Sequence, residues 1–401
     1  MNFCELGLNA RMVSRLKNLG LTQPTPIQAK AIPYALQARD VLGIAQTGTG
    51  KTAAFGIPLV VALSKQQERP RPKGARGLVL APTRELAGQI VENLKGLSAD
   101  LRIMLVVGGK SIGTQANKLA RGTDILVATP GRLIDLMDRK AVDLSQTRFL
   151  VLDEADQMLD MGFIHALRRI APMLNRDRQT MMFSATMPPL METLSRDYLS
   201  DAARVEVSPP GKAADKVSQA LHFVAKDKKQ ELLVKLLSAH PDERALVFSR
   251  TKHGADRLAK SLDRAGFEAA SIHGNKSQGQ RDRALNAFRA GSIPILVATD
   301  VAARGIDIPG VRHVYNFDLP NVAENYVHRI GRTARAGRDG SAVAFCTADE
   351  MKELKAIEKV LGAEIAVAGG APWKSAAPMQ RQSPKRRSRR RSQRSISRLA
   401  A

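Results

Sequence analysis

The chain has 401 residues, more than one hydrophobic core usually serves, so two domains are expected. Its 44% hydrophobic and 25% charged residues are those of a globular protein, and no apolar run approaches the roughly 18 to 20 residues that span a bilayer. A formal net charge of +24 points to a polyanionic partner rather than a membrane, and MNFCELGLNARMV lacks the pattern of an export signal, so a cytoplasmic setting is expected. The two cysteines, Cys4 and Cys346, make neither a metal pattern nor a disulfide framework and read as packing residues.

In chain order, short aliphatic runs recur, each closed by small or polar residues and followed by a helix-like segment. VLGIA precedes QTGTGKT, GLVLA precedes PTREL, DILVA precedes TPGR, FLVL precedes DEAD and MMF precedes SAT. This alternation predicts an α/β fold with a mostly parallel sheet and helices on both faces. Ligands of such sheets gather beyond the carboxyl ends of the strands, where all these polar clusters fall. In AQTGTGKT, Gly48 and Gly50 let successive N–H groups point at phosphate oxygens, Lys51 can reach the β/γ-phosphates and Thr52 can ligate Mg²⁺. Ala45 replaces the glycine that opens the common form of this turn, and Gln46, Thr47 and Thr49 complete it.

Asp153, Glu154 and Asp156 crowd the end of an aliphatic run, and buried like charges need a cation or hydrogen-bond donors. Mg²⁺ on a nucleotide brings that charge. Asp153 is then placed to hold the ion through water, and Glu154 to orient or deprotonate the attacking water.

Pro209, Pro210 and Gly211 mark residues 208–215 as a linker. The pattern then restarts: ALVF before SRTKHG, ASI before HGN, ILVA before TDVAARG, HVYNF before DLPN. DILVATPGR and PILVATDVAARG look like counterparts, and two such units with facing strand ends would enclose a cleft. In YVHRIGRTARAGR, Arg329, Arg332, Arg335 and Arg338 recur at spacing three, along one side of a helix, where they repel unless anions are near. The expected division is 1–207, a linker at 208–215, 216–368, and a tail at 369–401. From Lys374 onward the tail has ten lysines or arginines and no acid. It should be disordered, and is either a solubilising terminus or a non-specific phosphate binder.

With AQTGTGKT, DEAD and SAT in this order, the chain resembles the DEAD-box RNA helicases of superfamily 2 from Phe3 to about Thr347. The resemblance implies two tandem RecA-like domains, ATP and Mg²⁺ as cofactors, and RNA as partner. It implies that Gln28 of GLTQPTPIQ meets the adenine edge and that Phe3 stacks on the base. Arg84 of PTRELA, Gly109 of the Gly108-Gly109 pair, and Thr129 and Arg132 of TPGR would contact RNA, a structural salt bridge being the rival for either arginine. Ser184 would hydrogen-bond the DEAD segment and, with Thr186, Asp156 and His328, couple nucleotide state to domain closure. In the second unit Arg250, Gln280, Arg283 and Thr299 match RNA-backbone positions, and Gly305 and Asp307 match nucleotide positions. Asp307 also suits a capping role. Arg332 and Arg335 look like arginine fingers, and Ala334 stands where many members have glycine.

The implied activity is RNA-stimulated ATP hydrolysis coupled to local, non-processive duplex separation or RNP remodelling. An RNA clamp or assembly scaffold without unwinding and a DNA motor are the competing classes. With 4% aromatic residues and one Trp, an extended base-stacking platform is not expected, so the grip should fall on the backbone with little sequence preference. Stretches such as KQELL, RTKHGA and IHGNKSQGQR look most like the bacterial RhlE subgroup, for which a monomer and ribosomal or RNA-decay partners are expected. Truncation after Pro372 should weaken RNA binding and flatten the dependence of log K on log salt by roughly 0.7 per lost phosphate contact, with basal ATPase intact. Affinity titrations at several salt concentrations test this; parallel salt slopes would make the tail a bland terminus.

Overall fold

The computed structural model describes residues 2–46, 48–66, 68–207, 217–303, 310–334 and 339–373. The linker, the basic segment from Lys374 onward, Thr47, Gly305, Asp307, Arg335 and Arg338 lie outside the described residues. Among the described residues no helix is long and apolar enough to cross a membrane.

The chain folds into two seven-stranded sheets. The first contains β1 (Val41–Ile44), β2 (Ala75–Leu80), β3 (Ile103–Val106), β4 (Thr123–Ala128), β5 (Phe149–Leu152), β6 (Gln179–Ser184) and β7 (Ala203–Glu206). Their order is β3-β4-β2-β5-β6-β1-β7, and neighbouring pairs are parallel. The second contains β8 (Val217–Phe223), β9 (Arg244–Phe248), β10 (Ala269–Ile272), β11 (Ile295–Ala298), β12 (Val311–Asn316), β13 (Gly340–Cys346) and β14 (Val367–Gly369). Its order, β10-β11-β9-β12-β13-β8-β14, repeats the first strand for strand, and it too is parallel. DILVA and ILVA, the suspected counterparts, are β4 and β11, which hold the same place in each sheet.

Continuous apolar runs suit these strands because both faces of each sheet are covered. In β5, Phe149 and Val151 enter one core while Leu150 and Leu152 enter the other. In β9, Ala245 and Val247 are separated from Leu246 and Phe248 in the same way. The period of two thus builds two cores per sheet from what reads as uniform hydrophobicity.

Strand order also sorts the motifs. Neighbours β5, β6 and β1 bring DEAD, SAT and the phosphate turn together, with Leu152 opposite Met182 and Ile44 opposite Ser184. Neighbours β3, β4 and β2 gather Gly108-Gly109, TPGR and PTREL, with Ala128 opposite both Val106 and Leu80.

Two expectations are corrected by packing. The helix Glu324–Ile330 stops before Arg332, so the arginines at spacing three do not line one helix. Arg329 is buried in the second domain, where its Nε and Nη2 donate to the two Asp300 carboxylate oxygens at 2.5 and 2.8 Å. Its Nη1 donates to Asn316 Oδ1 and the Asp318 carbonyl, and its guanidinium lies over the Phe248 ring. The protein supplies the counter-charge that the sequence reading sought in an external anion. Cys346 is buried as expected, whereas Cys4 is exposed and does not serve packing.

A second buried cation, Lys229, opens the helix Lys229–Ser238. Its Nζ donates to the Phe317 carbonyl at 2.7 Å, Asp318 Oδ1 at 3.1 Å and Glu350 Oε2 at 2.9 Å. Arg329→Met strands Asp300 and should cost the second domain about 3 kcal/mol, read as a lower urea midpoint at unchanged slope.

Candidate nucleotide and RNA site

The phosphate turn is shaped by the residues that flank it. Gly48 and Gly50 have φ of +85° and +93°, and the helix Lys51–Lys65 begins at the lysine. A Cβ on Gly50 would come within 2.4 Å of Gln28 Nε2, so only glycine fits this close approach. Gln28 is buried; its Nε2 donates to the Gly50 carbonyl at 3.1 Å while its Oε1 accepts from the Thr25 N–H at 3.0 Å. Its amide therefore braces the turn in this structure. The Thr49 hydroxyl donates to the Gln46 carbonyl at 2.7 Å, and the Ala45 N–H to the Ser184 carbonyl at 2.9 Å, tying the turn to β6.

A cavity of about 430 Å³ opens here, with Gly48, Gly50, Lys51, Thr52, Asp153 and Glu154 in its wall. Phe3 is not among its lining residues: it is 2% exposed and packed in the first-domain core, because the N-terminal segment docks there. Lys51 is also buried, yet its Nζ has no hydrogen-bond partner among the described residues. An ammonium group held without acceptors fits a phosphate ligand. Asp153 beside it is fully buried, and burial first, then the Glu154 charge, pushes its carboxyl up to about 7 against the attraction of Lys51. Thr52 and Asp153 are the residues suited to Mg²⁺.

Within DEAD the three carboxylates have separate surroundings. Glu154 has φ +51° and ψ +51°, a left-handed conformation uncommon for a non-glycine residue, at the N-cap of the helix Ala155–Asp160. Its N–H donates to Asp153 Oδ1 at 3.0 Å. Asp156 Oδ2 accepts from the Ala185 N–H, the Thr186 N–H and the Thr186 hydroxyl at 3.0, 3.0 and 3.1 Å. This corrects the role expected of Ser184: its hydroxyl donates to the Thr186 carbonyl at 2.7 Å, within its own turn, and Thr186 makes the link to DEAD.

On the neighbouring strand ends, Thr83 caps the helix Arg84–Leu97 by accepting from the Leu86 N–H. Arg84 lies across the glycine pair, and a Cβ on Gly109, at φ +77°, would come within 2.1 Å of its Nη1. Burial first, then repulsion from Arg281, lowers the Arg84 pKa. Thr129 stands at the N-cap position of the helix Pro130–Asp138 without a side-chain capping bond, its carbonyl accepting from the Leu133 N–H. Arg132 donates to the Lys110 carbonyl at 2.8 Å and pairs with Asp135 at 3.3 Å, the structural bridge held open as its rival role.

The two domains meet through residues that the sequence reading passed over. Glu85 Oε2 and Arg281 Nη2 are 2.9 Å apart, with side chains 3% and 9% exposed. Gln278 of the second domain joins two neighbours on the first, its Nε2 donating to Glu85 Oε1 at 3.1 Å and its Oε1 accepting from Arg84 at 3.2 Å. The expected Gln280 and Arg283 lie outside this contact: Gln280 accepts from the Ser277 N–H as a cap, and Arg283 is exposed. A usable signal was present, since Leu285 and Phe288 follow Arg281 at four and seven residues and put it on the inward face of the helix Gln278–Ala290.

Arg250 donates to Glu350 Oε1 at 2.6 Å and to the Leu319 carbonyl. Thr299 accepts at its carbonyl from the Ala302 and Ala303 N–H groups. Arg332 is buried, with Nε donating to the His328 carbonyl at 3.3 Å, and does not line the nucleotide cavity. Ala334 has φ +54°, which gives a steric reason for the glycine common at this place.

Two RecA-like domains, a phosphate turn beside paired carboxylates and a polar bridge between the domains define the class of RecA-fold nucleoside triphosphatases. The DEAD/DEAH box helicase family model matches residues 25–194, and the helicase conserved C-terminal domain model matches residues 228–337. The chain is 44% identical over 359 residues to the DEAD-box ATP-dependent RNA helicase CshA of Geobacillus kaustophilus, covering 89% of this chain and 76% of that protein. It is 43% identical over 361 residues to CshA of Bacillus subtilis, covering 90% and 72%. The chain belongs to the DEAD-box ATP-dependent RNA helicase family. These relatives carry the CshA name, so the expected RhlE subgroup finds no support in them.

Among solved structures, S. cerevisiae Dbp5 bound to RNA and ADP BeF3 matches with a TM-score of 0.80 at 30% identity, covering 92% of this chain and 95% of that one. Mss116p bound to ssRNA and AMP-PNP gives 0.83 at 28%, covering 92% and 79%. A DEAD box protein of Methanococcus jannaschii is nearer in sequence at 37%, covering 92% and 99%, yet its TM-score is 0.53.

Because Asp153 takes up a proton near neutrality, protons should compete with Mg²⁺. Mg²⁺-dependent nucleotide affinity should fall about tenfold between about pH 8 and about pH 6, the change in the ionised fraction of a group with this pKa. Fluorescent-nucleotide titration against Mg²⁺ measures it, with Asp153→Asn expected to flatten the profile beyond the nucleotide's own titration.

Proposed function

We propose that this protein is an RNA-stimulated ATPase that separates short RNA duplexes locally by closing its two domains around the strand. One observation carries this reading. At the start of the helix Arg84–Leu97, Arg84 faces the glycine pair, Glu85 bonds the second domain, and Leu86 lines the nucleotide cavity. RNA site, domain contact and nucleotide site thus share three consecutive residues.

In this reading Lys51 and the N–H groups of residues 46–52 hold the phosphates, Gln28 the base edge, and Gly305 and Asp307 the nucleotide from the second domain; Phe3, packed in the core, does not stack on the base. Glu154 takes the proton of the attacking water or orients it. Mg²⁺, when bound, neutralises charge on the β- and γ-phosphates, and Thr52 and Asp153 would hold it. Arg332 and Arg335 act as fingers, a contribution on the order of 10³ to 10⁵ in rate, and Asp156, Ser184, Thr186 and His328 transmit closure. Arg84, Gly109, Thr129 and Arg132 on one domain, with Arg250, Gln280, Arg283 and Thr299 on the other, grip the RNA backbone. RNA that favours the closed arrangement must be bound more tightly with ATP present, because the linkage is reciprocal. The protein works as a cytoplasmic monomer, with ribosomal particles or RNA-decay proteins as partners.

Glu154→Gln should bind ATP and RNA normally yet lose at least about 100-fold in turnover, accumulating in the closed state. Steady-state ATPase assays with and without RNA, beside strand separation of short RNA and DNA duplexes, check it. Normal turnover by Glu154→Gln removes that assignment, and absence of RNA stimulation in the unaltered chain removes the proposal.

A further inference from the structure

At the amino ends of the second sheet, the pole opposite the motif-bearing strand ends, three side chains converge. The turn after the helix Lys229–Ser238 is closed by the Glu243 N–H donating to the His240 carbonyl at 3.2 Å. This puts His240 and Glu243 beside His313 of β12, whose register partner on β9 is Ala245, two residues beyond Glu243. The imidazoles of His240 and His313 stack with centroids 4.4 Å apart and planes 27° apart. His240 Nδ1 lies 3.7 Å from Glu243 Oε2, the same oxygen that His313 Nε2 meets. One ligand atom from each of the three lies within 4.8 Å of the others, the one such group of histidines, cysteines and carboxylates found among the described residues.

We infer that His240, Glu243 and His313 form a binding site for a divalent transition metal of the zinc class. Two imidazoles with one carboxylate suit Zn²⁺, Co²⁺ or Ni²⁺, whereas Mg²⁺ and Ca²⁺ take oxygen ligands, so this site is chemically distinct from the nucleotide's. A tetrahedral ion with ligands at about 2.0 to 2.1 Å sets ligand atoms roughly 3.4 Å apart, against 3.7 Å from His240 Nδ1 to Glu243 Oε2 and a shorter, hydrogen-bonded approach of His313 Nε2 to the same oxygen. Binding exchanges the His313–Glu243 hydrogen bond for bonds to the ion, so Glu243, 35% exposed, moves off His313 while His240, 48% exposed, turns in. That exposure leaves the fourth position to water.

The surroundings hold the ligands in place. His313 is 8% exposed and backed by the Tyr315 ring at 6.0 Å. Arg312 Nε lies 3.5 Å from Glu243 Oε1 and orients the carboxylate, while its Nη1 is engaged by the Asp339 carbonyl. A bound ion would pin the turn to β12 and leave the catalytic cleft untouched.

The test uses the full chain with any affinity tag removed, in excess Mg²⁺. Calorimetric titration with Zn²⁺ should show one saturable ion per chain, and Co²⁺ should give the visible bands of a tetrahedral site. His240→Ala, at an exposed turn, and Glu243→Gln should each weaken Zn²⁺ binding at least about tenfold and abolish the Co²⁺ bands, with RNA-stimulated ATPase unchanged. No saturable binding by the unaltered chain, or equal affinity in both variants, would overturn the site and leave a hydrogen-bonded His–Glu pair.

Discussion

Three carboxylates buried at the end of β5 impose the constraint around which the first domain is arranged. Buried acids must be met by donors or cations, and each of these is met differently. Asp156 is satisfied within the protein by donors from Ala185 and Thr186, which fixes SAT against DEAD. Asp153 is left with a raised pKa beside a lysine that has no hydrogen bond to spend. Glu154 stands between them in a backbone conformation that only a well-packed neighbourhood sustains. One acid is structural and the adjacent pair is held ready, and the order β5-β6-β1 makes the arrangement possible by setting lysine, carboxylates and SAT side by side.

The second constraint is the closed contact. A buried ion pair between separate domains costs desolvation that geometry must offset, and Gln278 offsets part of it by donating to the second Glu85 oxygen. Such a contact is well suited to being made and released. Its neighbours Arg84 and Leu86 lie against the glycine pair and in the wall of the nucleotide cavity.

Most of the architecture was legible because buried parallel strands write themselves as aliphatic runs, and β1, β2, β4, β5, β6 and their counterparts β9, β11 and β12 do so. Of the strands passed over, β3 reads IMLV and was as legible as the rest, whereas β7, β13 and β14 have weaker signatures. At β7 exposed Arg204 and Glu206 alternate with buried Ala203 and Val205, and β14 lies at an edge with Val367 exposed. β13 is central yet reads GSAVAFC, too small in its side chains to stand out. At the site, residue types pointed to the right neighbourhoods but not to partners. Nothing in the spacing said that Thr186 rather than Ser184 would reach Asp156, or that Arg329 would find Asp300, because both depend on strands adjacent in space and distant in sequence. Arg281 was recoverable from helix periodicity and was masked by the similar residues beside it.

The strand-for-strand repetition of the two sheets gives Lys229 a further meaning. It opens the helix after β8 as Lys51 opens the helix after β1, and Asp318 follows β12 much as Asp153 follows β5. In the second domain this lysine and aspartate neutralise each other, with Glu350 as a third member, so that copy of the site is filled by its own side chains. In the first domain the charges are left for a ligand. Under the proposed function, stability follows the same asymmetry: nucleotide at 100 times its Kd adds about 2.7 kcal/mol, and the share that comes from uncompensated phosphate-site charges falls on the first domain. Energy depletion in the cell would therefore loosen the amino-terminal half of the protein first, and the sheet that needs no nucleotide would outlast it.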